Sequence, residues 1–152
     1  MKGLAMNAED IKVDEATKRQ LIEKAIEVLP NSYAPYSNYN VGAAALFDSG
    51  KIYTGVNVEN ATYGAAICAE RNAIFRAAAE GERRLLALAV TGGPKGEIED
   101  EYCAPCGICR QVMREFADPE SMLVISAKSP DDYREYTLAE LLPESFGPEF
   151  LG

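Results

Sequence analysis

Four cysteines carry most of the chemistry this sequence can offer: Cys68 in the string ICAER, and Cys103, Cys106 and Cys109 in CAPCGIC. No histidine occurs in the chain. That removes Ser-His-Asp triads, Cys-His pairs, His general bases and every His-ligated metal site. Catalysis must then run on carboxylates, thiols, amines, tyrosine, or a metal held by Cys and Asp/Glu. Cys68 and the Cys106/Cys109 pair each fall where a helix is expected to begin, and a helix N-terminus stabilises thiolate. Cys106 and Cys109 are three apart, about 300° around a helix, and can chelate one ion from one face. Three protein thiolates leave the fourth tetrahedral position of a zinc ion open for water, the mark of a catalytic rather than a structural site.

Glu70, two residues past Cys68, is placed to take a proton from such a water and pass it on. Arg71, three past Cys68, can donate to the thiolates and offset the net negative charge of a tris-thiolate zinc. Blander readings exist for each part. A lone C-x-x-C can be a redox pair, but that leaves Cys68, Glu70 and Arg71 without a task. Cys103, Cys106 and Cys109 with Cys68 could instead close a structural four-cysteine zinc site, with no position left for water. Arg71 could be a surface charge, and Cys103 a small buried hydrophobe.

The elements that must position these residues follow from period and punctuation. Asp14 caps a helix whose Ile22, Ala25, Ile26 and Leu29 share one face, and Pro30 stops it. The turn-rich loop PNSYAPYSNYN at 30–40 leads into a β-hairpin, 41–47 and 52–58, closed by DSGK. A second helix is expected from near Ile67 to Glu80, ended by Gly81. The unbroken apolar run LLALAVT at 85–91 reads as a strand covered on both faces. A Gly/Pro/acidic loop with the solvated stretch EIEDE at 97–101 separates it from a third helix over 106–116. A strand at 122–127, a short strand at 133–136 and a short helix at 138–142 complete the chain. This order predicts an α/β, three-layer α/β/α domain around a mixed sheet of about five strands, with parallel crossovers in its second half.

Length and composition bound the remaining classes. With 152 residues, 47% hydrophobic and no low-complexity run, the chain reads as one domain over 1–152, with 1–12 as a flexible N-terminal extension. Fifteen Lys+Arg against 24 Asp+Glu give a net charge of −9. That argues against a nucleic-acid partner, which needs clustered basic residues. No signal peptide or spanning segment is legible, so a cytoplasmic location and no membrane partner are expected.

The blocks YAPYSNYNVGAA (33–44), GVNVENATYG (55–64), ICAER (67–71), PCGICRQ (105–111) and ELLPESFGP (140–148) together resemble the zinc-dependent nucleoside and nucleotide deaminases, in particular the small, homotetrameric cytidine deaminases. The similarity runs from the first helix over nearly the whole chain. It implies one zinc ion per subunit on Cys68, Cys106 and Cys109, with Glu70 as proton shuttle. Asn57 and Glu59 match the ribose-binding pair, and two residues spaced by two on a strand would share a face. Tyr39 stands where the family usually has a phenylalanine stacked on the pyrimidine, which keeps the ring and adds a hydroxyl. The N–H of Ala69 and the carbonyl of Ala104 match the groups that hold the base. Ala61, Tyr63 and Phe146 match positions that reach a neighbouring subunit's site, so a homotetramer with shared sites is implied. The implied activity is hydrolytic deamination of a small nucleoside, cytidine or deoxycytidine, within pyrimidine salvage. A deaminase of a cytosine-nucleoside-like compound such as blasticidin S is the alternative, disfavoured by the sugar-gripping Asn57 and Glu59. A polynucleotide-editing deaminase fits the charge poorly, and a non-catalytic domain would have been free to lose Glu70 or a thiol.

Overall fold

Asp14 accepts the N–H of Thr17 at 2.9 Å and so caps helix α1, Glu15–Val28. Leu21, Ile22 and Ala25 are fully buried on its inner face, each long apolar side chain contributing about 1.5–3 kcal/mol by leaving water. The computed structural model describes residues 13–98 and 100–152; the expected N-terminal extension, 1–12, lies outside them. The hairpin is present as β1, Tyr39–Phe47, and β2, Ile52–Val56. Its turn is closed by Gly50, whose φ of 87° a side chain would oppose. Helix α2, Ala69–Ala79, strand β3, Leu85–Pro94, and helix α3, Gly107–Phe116, follow. Strands β4, Leu123–Ser129, and β5, Asp132–Thr137, and the one-turn helix α4, Leu138–Leu141, complete the fold. A Thr137/Glu140 capping box starts α4.

The five strands form one sheet in the order β2-β1-β3-β4-β5. Only β3 and β4 pair in parallel; the other neighbours are antiparallel. The crossover that this parallel pair requires is the segment containing α3. Alternate side chains of the sheet divide two cores. One holds Leu21, Ile22 and Ala25 of α1 against Ala44, Leu46, Ala87, Ala89 and Ile125. The other sets Ala73, Ile74 and Ala77 of α2 and Cys109 and Met113 of α3 against Ala43, Ala45, Leu88, Val90 and Val124. This is the three-layer arrangement expected from the sequence. Among the described residues no helix is long and apolar enough to cross a membrane.

Several boundaries differ from expectation by one to three residues, and three of them matter for the site. The second strand stops at Val56 rather than Val58, because the chain changes partners there. Val58 pairs with Ile67 on one side and Tyr33 on the other instead of continuing along β1. The second and third helices begin one or two residues late, leaving Cys68 and Cys106 as N-caps in extended conformation.

Helix α2 lies unusually close to β2, and Gly55 is the reason. A Cβ there would sit 2.4 Å from the nitrogen of Ala73 and 2.5 Å from the carbonyl oxygen of Ala69. Those are backbone atoms of α2, so relief requires moving the whole helix. Gly55→Ala is expected to cost about 3 kcal/mol, at the upper end of ordinary overpacking. A thermal melt checks this; an unchanged Tm would contradict the close packing.

Candidate active site

Strands β2 and β3 run in the same direction, each being antiparallel to β1. Their outgoing ends, and the helices that follow, therefore open at one edge of the sheet. Cys68 caps α2 and Cys106 caps α3, and neither offers a side-chain hydrogen bond to its helix. The thiol sulfurs turn towards each other instead. Cys68 Sγ lies 3.8 Å from Cys106 Sγ, and Cys106 Sγ lies 3.5 Å from Cys109 Sγ. All three fall within 4.8 Å of one another. A tetrahedral zinc with Zn–S near 2.3 Å requires its sulfurs about 3.8 Å apart, so the spacing fits that ion. Cys106 stands one residue before α3 rather than on its face with Cys109, and the extended cap still brings its sulfur over the first turn. Cys103 is half-buried against the α2/α3 core and stands outside the thiol cluster. Among the described residues the cluster that could hold a metal ion therefore offers three sulfurs, not four.

The thiols share charge unequally. The Cys68 thiol is lowered to about 5 by hydrogen bonding from Cys109 and then from Arg71. Cys109, bonded to Cys68 and buried, is pushed up and keeps its proton. Metal binding must displace such protons. Arg71 Nη2 donates to Cys68 Sγ at 3.4 Å, and its buried Nε has no protein partner. The guanidinium thus keeps donor capacity for the negative charge of three thiolates, which the start of two helices also offsets.

Glu70 sits in the first turn of α2 and is 4% exposed. Burial raises its carboxyl to about 7, with the neighbouring Cys68 thiolate pushing the same way. A carboxyl balanced near neutrality can both accept and return a proton. Ala69, the first residue of α2, is fully buried, and its N–H is one of the donors a helix start leaves unused within the helix. Ala104 lies exposed in the segment entering α3.

Asn57 and Glu59 lie beyond β2 on chain that remains extended, and both side chains turn to the loop 32–41. Asn57 Oδ1 accepts the N–H of Val41 at 2.9 Å and the hydroxyl of Ser32, while Nδ2 donates to the carbonyl of Tyr39 at 2.8 Å. Glu59 Oε1 accepts the N–H groups of Tyr36 at 2.9 Å and Ser37 at 3.1 Å. Those bonds, the Ser37 side chain foremost, hold its carboxyl below the usual range. Both residues fix the loop in place as well as being candidates to meet a ligand, and the Ser32 bond had no signal in the sequence. A cleft of about 380 Å³ is lined by Tyr36, Ser37, Glu59, Asn60, Tyr63 and Ala66, a size in the range of small-molecule sites. Ala66, the last of these along the chain, precedes Cys68 by two residues, and Cys68 does not line the cleft.

The remaining candidates are dispersed. Tyr39, at the start of β1, is half-buried, and its main chain is held by Asn57. Ala61 is exposed, and Tyr63, 77% exposed, meets Tyr36 edge-to-face at 5.9 Å. Phe146 is exposed, stacks on Phe150 at 5.4 Å and does not line the cleft.

Residues 15–125 match the family described as the cytidine and deoxycytidylate deaminase zinc-binding region. A cytidine deaminase of Halalkalibacterium halodurans is 42% identical over 132 residues, covering 87% of this chain and 96% of its own. A probable cytidine deaminase of Dictyostelium discoideum is 40% identical over 134 residues, 86% of each chain. The crystal structure of cytidine deaminase from Burkholderia pseudomallei superposes with a TM-score of 0.75 at 43% identity, covering 84% of this chain and 97% of that one. That from Mycobacterium tuberculosis gives 0.71 at 40% identity, covering 84% and 95%. The matched stretch runs through both helix starts where the three sulfurs converge, and this chain belongs to the cytidine and deoxycytidylate deaminase family of zinc enzymes.

Proposed function

We propose that this protein hydrolyses cytidine and deoxycytidine to uridine and deoxyuridine, releasing ammonia, with one zinc ion per subunit held by Cys68, Cys106 and Cys109. The observation that carries this reading is the open three-thiol cluster with the buried Glu70 two residues from Cys68. Its relatives named as cytidine deaminases support the choice of substrate. When bound, zinc supplies the Lewis acidity that makes water nucleophilic near neutral pH.

The chain's own residues do the rest. Glu70 takes a proton from the attacking water and delivers it to the ring nitrogen beside C4. It then relays a proton to the departing amine as the C4–N bond breaks. The Ala69 N–H and the Ala104 carbonyl hold the base, one by its 2-carbonyl and the other by its amino group. Glu59, held in one orientation by the Tyr36 and Ser37 amides, grips the sugar with Asn57. Tyr39, its main chain pinned by Asn57, supplies the ring against the pyrimidine. Arg71 tempers the thiolate charge.

The same reading makes the protein a single-domain, cytoplasmic enzyme of pyrimidine salvage and a homotetramer. Tyr63 and Phe146 are exposed, as side chains that reach a neighbouring subunit's site would be. Incubation of the zinc-loaded protein with cytidine tests the function. The near-ultraviolet absorbance of the cytosine ring is expected to fall as ammonia appears. Unchanged absorbance with zinc bound would overturn the assignment.

A further inference from the structure

Arg110 follows Cys109 directly in α3 and makes two main-chain bonds with one side chain. Its Nε donates to the carbonyl of Pro105 at 2.8 Å, and its Nη1 donates to the carbonyl of Leu141, also at 2.8 Å. Pro105 is buried and immediately precedes Cys106. Its carbonyl lies outside the helix ladder, whose first bond runs from the Arg110 N–H to the Cys106 carbonyl. A buried carbonyl left without a donor is costly, and here the donor comes from within the helix that the two thiols open. Three residues earlier the same segment is fastened at its other end. The Tyr102 hydroxyl donates to Asp132, and its ring lies under Lys128 at 4.5 Å and Arg134 at 4.2 Å. Residues 102–105 therefore form a strap anchored on the β4–β5 hairpin and on Arg110.

We propose that Arg110 is a positioning residue for the metal centre: its Nε–H, bonded to the Pro105 carbonyl, sets the main chain that carries Ala104 and Cys106, while its Nη1 bond to Leu141 is a separate anchor to the C-terminal segment. This rests on the zinc assignment above, and it concerns hydrogen-bond geometry rather than charge. Groups that orient metal ligands typically change metal affinity 10–100-fold when lost.

Two substitutions separate the bonds. Glutamine places its amide nitrogen at the Nε position of arginine, so Arg110→Gln keeps the donor to Pro105 and loses the one to Leu141. Lysine has a methylene there, so Arg110→Lys keeps the charge and loses the Pro105 donor. Zinc release from the loaded proteins to an excess of chelator is the readout, with the Tm of the stripped proteins as control. Release is expected to be about 10–100-fold faster in Arg110→Lys, and within about threefold of the parent in Arg110→Gln, with little change in stripped Tm. Equal retention by Arg110→Lys, or equal loss by both variants, would overturn the proposal. In the unsubstituted protein, the Arg110 Nε–H signal in nitrogen-edited NMR, assigned by its absence from Arg110→Gln, provides a test that needs no folded lysine variant. Its exchange with solvent is expected to quicken when zinc is stripped; the same rate in both states would overturn the link to the metal centre. A parent protein that holds no zinc at all would instead refute the underlying assignment.

Discussion

Glu70→Gln is expected to lower kcat for cytidine about 10²–10⁴-fold, the range that positioned acid–base groups supply, while the protein keeps its zinc. The side chain is 4% exposed in the first turn of α2, so glutamine, nearly the same in shape, has room where glutamate stands. It also removes the only part of the residue the proposed chemistry uses, a group that can be charged or neutral near pH 7. A buried carboxylate costs free energy to ionise, so the amide is expected to leave thermal stability unchanged or higher. The combination is diagnostic. Lost turnover with retained zinc and retained Tm identifies a proton carrier. Lost turnover with lost zinc would make Glu70 a support for the thiol cluster, and near-full activity would end the assignment altogether.

What could be read from the sequence was whatever depends on neighbours along the chain. The Asp14 cap, the Ile22/Ala25 face of α1 and the two-sided burial of β3 follow from local period and punctuation, and they were legible. So was the thiol set, because Cys68 and Cys106 each stand where a helix begins. What escaped depends on partners far away in sequence. Whether 57–58 continues β2 cannot be read from the alternation in GVNVEN, because Val58 stays extended while exchanging β1 for Ile67 and Tyr33. The motif marks Asn57 and Glu59 as candidates to bind a sugar, whereas the bonds by which they hold Tyr36, Ser37 and Val41 are visible only in the folded loop. Nothing adjacent to Arg110 in the sequence shows its role, since the carbonyl it reaches in the tail lies 31 residues later. A polar residue just past a ligand pair on a helix is the signal that could have flagged it.

Cys109→Ala is expected to abolish stoichiometric zinc binding and, with it, activity above background. Two sulfurs remain in that variant, and a tetrahedral zinc site built on two protein ligands lacks the donor set seen in either catalytic or structural centres. The loss can be separated from misfolding because of where Cys109 sits. It is fully buried beside Met113 in the α2/α3 core, where a thiol packs as a small hydrophobe and alanine leaves only a small gap. The metal-free variant should therefore unfold close to the metal-free parent. Added zinc then discriminates: a ligand that binds only the folded state stabilises it by about 4 kcal/mol at a thousandfold excess over its Kd. The parent's Tm should rise on zinc addition and the Cys109→Ala Tm should not. Cys103→Ala is the matched control, one thiol outside the cluster but packed on the same core. It is expected to keep both the zinc-dependent rise and the deaminase activity. Were Cys103→Ala to lose zinc as Cys109→Ala does, the centre would have four protein sulfurs and no place for water. The open-site chemistry assigned to Glu70 would then fail with it.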